Sequence, residues 1–291
     1  QEQRRNKMVD ELKEYIEKEE LCRFGMCLEW EHQSIFEYNA DEEFETASCI
    51  KVFILVALYY QVYTGKCKIT DLIEYRKEMR TTGSGIIKSM EPGLSMSLKN
   101  YAILMIIVSD NTATNMLIDQ IGGVDEVNKI ISLLGFEHTR LLNRIDFEKS
   151  LRVGVTTPRE YAKIFSMLYD EQVWRADLSR EMYSILRRQQ NNMVFCKHLP
   201  DEDVLNKGTG DSPIISIASK SGSLSLSMLD KENVCNDGGV VNTTRGVYIA
   251  TFFASGFESP NIDEDNEVVE FMSRIHEKIY THFMKYGKFK K

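Results

Sequence analysis

Ser48 and Lys51 stand three residues apart in "TASCIKVFILVALYY". They head an apolar and aromatic run, Ile50 to Tyr63, broken only by Lys51 and Gln61. Positions i and i+3 share one face of a helix, so a helix beginning near Ser48 brings the hydroxyl and the amine together. A run apolar on all sides is buried, and burial disfavours the ammonium. A neutral amine beside a serine can take its proton and make it a nucleophile. The plainer reading is a serine N-cap with a lysine reaching out of the first turn. Two further stretches bear on the choice. In "VSDNTATNML" (108–117), Ser109-Asp110-Asn111 separates two helical patterns. Asp110 or Asn111 would cap the helix beginning at Thr112, and the same loop offers a hydroxyl and an amide to the Ser48–Lys51 pair. In "ASKSGSLS" (218–225), Lys220-Ser221-Gly222 falls on a strand. Gly222 is either a bulge or a place where substrate approaches the backbone, with Lys220 supplying positive charge. No G-x-S-x-G, H-E-x-x-H, C-x-x-C or P-loop pattern occurs. The histidines, His32, His138, His198, His276 and His282, are scattered, so a Ser-His-Asp mechanism has no obvious base. No metal or cofactor is implied.

Elements at both ends of the chain must hold these residues. Residues 2–20 have helical spacing at Met8, Leu12, Tyr15 and Ile16. "LCRFGMCLEW" and "SIFEYNA" read as strands joined tightly through "EHQ". The run 50–63 is too long for a typical strand and reads as a buried helix. "GKCKITDLIEYRKEM" reads as a turn and another helix. Helical patterns with short loops then continue to about 212. Among them are "GGVDEVNKIISLLG" and "LSREMYSILRRQQ". Another is "TTPREYAKIFSMLYDE", with Thr157 as N-cap and Pro158 at the first helical position. After about 213, "IISIASKSGSLSLSML" reads as a strand interrupted by glycine. "GGVVNTTRGVYIATFFAS" reads as two strands around a turn at Thr244–Gly246, and "NEVVEFMSRIHEKIYTHFMKY" as a closing amphipathic helix. The order predicts an α/β (α+β) fold, an antiparallel sheet assembled from the two ends of the chain. Residues 1–63 and 213–291 would form the sheet domain and 64–212 an inserted all-helical domain, with the site between them.

The 291 residues suffice for a large core, and 43% hydrophobic with 27% charged residues is a globular balance. A net charge of −8 argues against a nucleic-acid partner. The basic end "KYGKFKK" reads as a solvated tail. The most apolar runs, 50–63 and 102–108, are shorter than the roughly 18 residues of a membrane span. Cys22, Cys27, Cys49, Cys67, Cys196 and Cys235 show no metal-type spacing, and free thiols in a reducing, cytoplasmic setting are the expectation. An exported mature form remains an alternative if a leader was removed.

S-x-x-K, S-D-N and K-T-G together are the signature of class A β-lactamases and penicillin-binding proteins. All three occur here in that order, as Ser48-Cys49-Ile50-Lys51, Ser109-Asp110-Asn111 and Lys220-Ser221-Gly222, with serine in place of threonine in the last. The chain resembles the class A β-lactamase-related serine hydrolases over nearly its full length. Segments 83–119, "VTTPREYA" (155–162) and "NDGGVV" (236–241) add to the likeness. The resemblance implies a five-stranded antiparallel sheet flanked by helices, with an all-helical lobe beside it. It implies that Ser48 attacks a lactam, amide or ester carbonyl to form an acyl-enzyme, with Lys51 as general base. Ser109 would relay a proton toward the leaving group, with Lys220 tuning it, and Asn111 would position substrate or Lys51. Lys220 and Ser221 would attract a substrate carboxylate. The backbone N–H groups of Ser48 and Ser223 would form the oxyanion hole. In the family's omega loop, R-x-E-x-E-L-N, the first glutamate activates the deacylating water. Setting Arg144 on that arginine puts Asp146 at the base position, Glu148 two residues on and Ser150 in place of asparagine, so deacylation is expected to be weak. Cys235 stands where many members carry a basic residue, and Ser223-Leu224-Ser225 offers Cys49 no disulfide partner. The expected partner is a small-molecule or peptide substrate carrying a carboxylate, bound by a monomer. The alternatives are a peptidase or esterase with little β-lactam turnover, a penicillin-binding protein that stalls as acyl-enzyme, and a non-catalytic binding module.

Overall fold

A computed structural model describes residues 2–150, 152–204, 214–225 and 232–287. The basic end 288–291, residues 226–229 of the strand expected to follow Gly222, and the expected boundary at 212–213 lie outside the described residues. From the N-terminus come α1 (Glu2–Lys18), β1 (Arg23–Trp30), β2 (Gln33–Tyr38), β3 (Phe44–Glu45), a 3₁₀ turn (Ala47–Ile50) and α2 (Lys51–Tyr63). The middle holds β4 (Leu72–Glu74), β5 (Ser95–Ser97), α3 (Leu98–Ile107), α4 (Asn111–Ile121) and α5 (Val124–Leu133). It continues with β6 (Arg140–Leu141), β7 (Gly154–Thr156), α6 (Pro158–Tyr169), α7 (Ala176–Leu186) and α8 (Met193–Cys196). The chain closes with β8 (Ile215–Ser219), β9 (Gly222–Leu224), β10 (Asn233–Thr243), β11 (Gly246–Phe257) and α9 (Glu267–Tyr286).

The main sheet runs β2-β1-β11-β10-β8 and is antiparallel throughout. Its last position is shared: β10 pairs with β8 through Gly239–Thr243 and with β9 through Val234–Asn236. The gap between those two strands is Lys220-Ser221. The hairpin from β1 to β2 turns through Glu31 and His32, both at positive φ, the geometry that matches strand twist in a two-residue loop. Thr157 Oγ1 accepts from Glu160 N and caps α6, with Pro158 at its first position, as the sequence predicts.

Each sheet face covers a separate apolar cluster. Met8, Leu12 and Ile16 of α1 join Val268, Met272 and Ile275 of α9 over Phe24, Met26, Tyr248 and Phe252. On the other face α2, buried from Val52 to Tyr59, packs among α3, α4, α5, α6 and α7 and against Val240 and Phe253. Trp174 closes the outer end of this cluster: its indole N–H donates to Val56 O at 2.9 Å, and its ring lies 4.6 Å from that of Tyr60.

Three features differ from the sequence reading: the stretch 64–212, expected to be all helical, also carries β4–β7; Lys220-Ser221, expected on a strand interrupted by glycine, form the break themselves while Gly222 begins β9; and one expected helix is absent. "GKCKITDLIEYRKEM" carries β4 and a 3₁₀ turn at Lys77–Met79 rather than a helix. Leu72 is 71% exposed while Tyr75 is buried. The segment thus presents no helical apolar face, and its backbone pairs with β5 instead.

Candidate active site

Ser48 sits inside the 3₁₀ turn that leads into α2. Neither plainer reading holds here. Thr46 occupies the N-cap position and makes no side-chain cap bond, and Lys51 is fully buried rather than reaching to solvent. The turn is bent by Ala47 at φ +46°, a left-handed conformation that non-glycine residues adopt only when the surroundings fix it. Those surroundings are polar. Glu45 Oε1 accepts from the backbone N–H groups of Ala47, Val153 and Gly154 at 3.2, 3.0 and 3.1 Å. Asn236 Nδ2 donates to Glu45 O at 2.8 Å and Thr46 O at 3.2 Å. Burial pushes the Glu45 carboxyl up, while those N–H donors pull against it.

Lys51 Nζ reaches across to the loop between α3 and α4. It lies 2.7 Å from Ser109 O, 3.0 Å from Ser109 Oγ and 2.8 Å from Asn111 Oδ1. Burial holds its pKa well below the ordinary lysine value, and the Lys220 charge pushes it in the same direction. Ser109 is itself at φ +54°. Asp110 is the helix cap that the sequence suggests, with Oδ1 accepting from Ala113 N at 2.9 Å. Its Oδ2 accepts from Ile86 N and Ile87 N at 2.7 and 2.9 Å, so one carboxylate ties the 84–87 loop to the start of α4.

Lys220 is buried in the gap between β8 and β9, with Nζ donating to Ser221 O at 2.6 Å. Burial lowers its pKa to about 8, against the attraction of nearby Cys49 and Asp237. Asp237, buried on β10, is pushed up to about 8 by its own burial. The Tyr161 hydroxyl and the Cys49 thiol both donate to Lys220 O, at 2.6 and 3.4 Å. All six cysteines are free thiols.

Gly222 is needed for a different reason from the one its sequence suggests. A Cβ there would fall 2.6 Å from Ser48 N, 2.7 Å from Cys49 N and 2.7 Å from Thr46 O. The space is taken by the chain's own backbone, not by substrate: β9 lies directly on the turn carrying Ser48. Ser48, Ser109, Lys220, Ser221, Gly222 and Ser223 line one cavity of about 320 Å³, together with Ser84, Gln189 and their neighbours.

Sequence reasoning missed Gln189. It is buried, donates to Ser219 Oγ at 2.7 Å and accepts from Ser221 N at 2.8 Å and Ser221 Oγ at 3.2 Å. It thereby bridges the break around Lys220. The polar run "RRQQNN" ending a helical pattern was its only signal.

Asp146 and Glu148 lie elsewhere. Both line a separate cavity of about 570 Å³ with Thr81, Thr82 and Asn115. Asp146 Oδ2 pairs with Lys149 Nζ at 3.3 Å, which holds its carboxyl below the ordinary range. Glu148 is exposed, and Arg144 pairs with Asp119 at 2.9 Å. Asn115 pins the loop by donating to Ile145 O at 2.8 Å and accepting from Ile145 N at 2.9 Å. Among the described residues, no carboxylate lines the cavity that holds Ser48.

A buried lysine amine bound to a serine-containing loop, a second buried lysine on a broken edge strand, and a serine at a helix start between them define a serine-centred site at the seam of a sheet and a helical layer. The family model described as the beta-lactamase enzyme family matches residues 7–283, and the chain belongs to that family, with a class A fold. It is 27% identical to beta-lactamase CARB-3 of Pseudomonas aeruginosa over 155 residues, 50% of this chain and 52% of that protein. It is 35% identical to a beta-lactamase of Bacillus amyloliquefaciens over 119 residues, 40% and 37% of the two chains. The matches thus span about half or less of these curated relatives. Among solved structures, a class A beta-lactamase of Bacteroides cellulosilyticus superposes with TM-score 0.81 at 18% identity, covering 97% of this chain and 99% of that one. A mutant of PBP-A, solved as its acyl-enzyme complex with penicillin G, superposes with TM-score 0.79 at 23% identity over 96% and 97%. No helix among the described residues is long and apolar enough to cross a membrane.

Proposed function

We propose that this protein is a serine hydrolase that opens β-lactams through an acyl-enzyme on Ser48 and hydrolyses that ester slowly. The observation that carries the reading is the Lys51 amine, fully buried and hydrogen-bonded to Ser109 and Asn111, beside a cavity shared by Ser48, Ser109 and Lys220. In the acylation step Ser48 Oγ bonds to the lactam carbonyl carbon and Lys51 takes its proton. The C–N bond then breaks, and the proton passes through Ser109 to the leaving nitrogen. Asn111 Oδ1 aims the amine. The N–H groups of Ser48 and Ser223 receive the developing oxyanion, where such donors contribute roughly 2.7–4 kcal/mol each. Lys220 and Ser221 hold the substrate carboxylate. The placement of Asp146 and Glu148 in a different cavity favours slow deacylation. A general base must come within hydrogen-bond reach of its water, and neither carboxylate is among the residues lining the Ser48 cavity.

The test pairs a chromogenic cephalosporin with a fluorescent penicillin, read by colour and by intact-protein mass. The expected result is a mass adduct on Ser48 with little colour, absent in Ser48→Ala. Failure of the penicillin but labelling by a fluorophosphonate would turn the reading toward peptide or ester substrates. A wild-type protein left unmodified by all three reagents would sink it.

A further inference from the structure

Gly83 sits between the two cavities. Thr82, before it, lines the larger one around Asp146, and Ser84, after it, lines the one that holds Ser48. A Cβ on Gly83 would fall 2.5 Å from Asn111 Nδ2 and 2.9 Å from Phe147 Cε2. Gly83 is at φ +90°, so both the backbone and the space there require glycine. The niche it leaves is filled from one side by the Asn111 amide, whose other atom binds Lys51, and from the other by the Phe147 ring. Phe147 also lines the larger cavity and is the aromatic residue between Asp146 and Glu148. Both neighbouring carboxylates are partly or fully exposed while the ring packs against the helical-layer core.

We propose that Phe147 is a hydrophobic partition that keeps the water of the larger, charged cavity from the ester on Ser48. The inference rests on the acyl-enzyme reading above and explains how that ester persists. After acylation Lys51 is a neutral amine again and can serve as base a second time. With no carboxylate among the described residues lining the Ser48 cavity, Lys51 is the base left for hydrolysis, and that route needs a water on the Asn111 side of the ester. Its oxygen bonds to the acyl carbon and the C–Oγ bond breaks. One water proton passes through Lys51 to Ser48 Oγ, and the acid leaves as its carboxylate with release of the other. Apolar wall in place of open cavity removes that water, as water exclusion protects reactive intermediates in closed sites.

Phe147→Ala and Phe147→Leu separate the possibilities. Adduct formation and loss on Ser48 are followed by intact mass with a fluorescent penicillin, with and without hydroxylamine as a small competing nucleophile. The expected result is an unchanged rate of labelling and an adduct lifetime shortened roughly tenfold or more in Phe147→Ala. Phe147→Leu should be intermediate, and hydroxylamine should cleave the alanine variant's adduct faster than the wild type's. Should the alanine variant fail to fold, as judged by its melting transition, the leucine variant carries the test. Equal adduct lifetimes in all three proteins would overturn the partition and leave the acyl-enzyme reading standing. Rapid turnover by the wild type would overturn the partition while supporting the serine hydrolase. Absence of any label on Ser48 together with absence of turnover would overturn both.

Discussion

Two of the partners of Lys51, Ser109 O and Asn111 Oδ1, can only accept hydrogen bonds, whereas Ser109 Oγ can also donate. A neutral amine has two N–H donors and one lone pair, so this arrangement accommodates the uncharged form that burial favours. Lys51→Arg should therefore lower the acylation rate by roughly 10²–10⁴-fold, because a guanidinium stays charged and cannot serve as base; stopped-flow labelling with a fluorescent penicillin measures it. The pH profile follows from the two lysines. Acylation should rise with pH as Lys51 loses its proton through its lowered pKa. It should fall again above about 8, where Lys220 loses the ammonium that binds the substrate carboxylate. An acyl donor without a carboxylate should show the rising limb alone. Asp237, whose carboxyl burial pushes up to about 8, gains its charge over the range in which Lys220 loses its own, and that charge favours the ammonium, so Asp237→Asn should move the falling limb to lower pH. A falling limb that stays put in that variant would show that Asp237 does not tune Lys220.

The contact between β9 and the turn before α2 sets the position of Ser48. Gly222→Ala places a methyl group against three backbone atoms, and backbone cannot rotate away as a side chain can. Such overpacking costs typically about 1–3 kcal/mol. The variant should melt at lower temperature and lose labelling at Ser48 together; a change in neither would show that the strand shifts freely. Gln189→Leu should weaken binding of carboxylate-bearing substrates more than it slows the chemical step, since it removes the acceptor of Ser221 N–H and one of the two partners of Ser219 Oγ, which keeps Asn192 Oδ1. The pairing of Ser48 with Lys51 was legible from i, i+3 spacing, and the three triplets through the resemblance to the family that carries them in that order. Gly222 was legible as a special position but not for its reason, which lies in a turn more than a hundred residues away. Gln189 and Phe147 were not legible. Their surroundings come from strands and loops brought together only by tertiary packing, and the polar run that ends a helical pattern at Gln189 does not say what that residue bridges. The stretch containing Leu72 and Tyr75 misled because its few apolar residues suit a helix until β5 is beside it.

The sheet divides the molecule into two apolar layers, and the outer one contains a fully buried histidine. His276 Nε2 lies 2.7 Å from the Tyr248 hydroxyl, and burial lowers its pKa from 6.5 to about 3. Below pH 6.5 the unfolded chain binds a proton there that the folded chain does not. Stability should therefore fall as the pH drops from about 6.5 toward 3 and be unaffected by this group above that range. Urea midpoints at pH 7 and pH 5 should differ more for the wild type than for His276→Phe; equal differences would place the acid sensitivity elsewhere. Trp174, seated on the carbonyl of Val56 at the far end of the inner layer, has a further use. The chain has two tryptophans, and the other, Trp30, ends β1 and packs against the outer layer. Each layer thus carries a native fluorophore. Emission from Trp30→Phe and Trp174→Phe, followed through denaturant, would tell whether the two halves come apart in one event or in succession, without any label being attached.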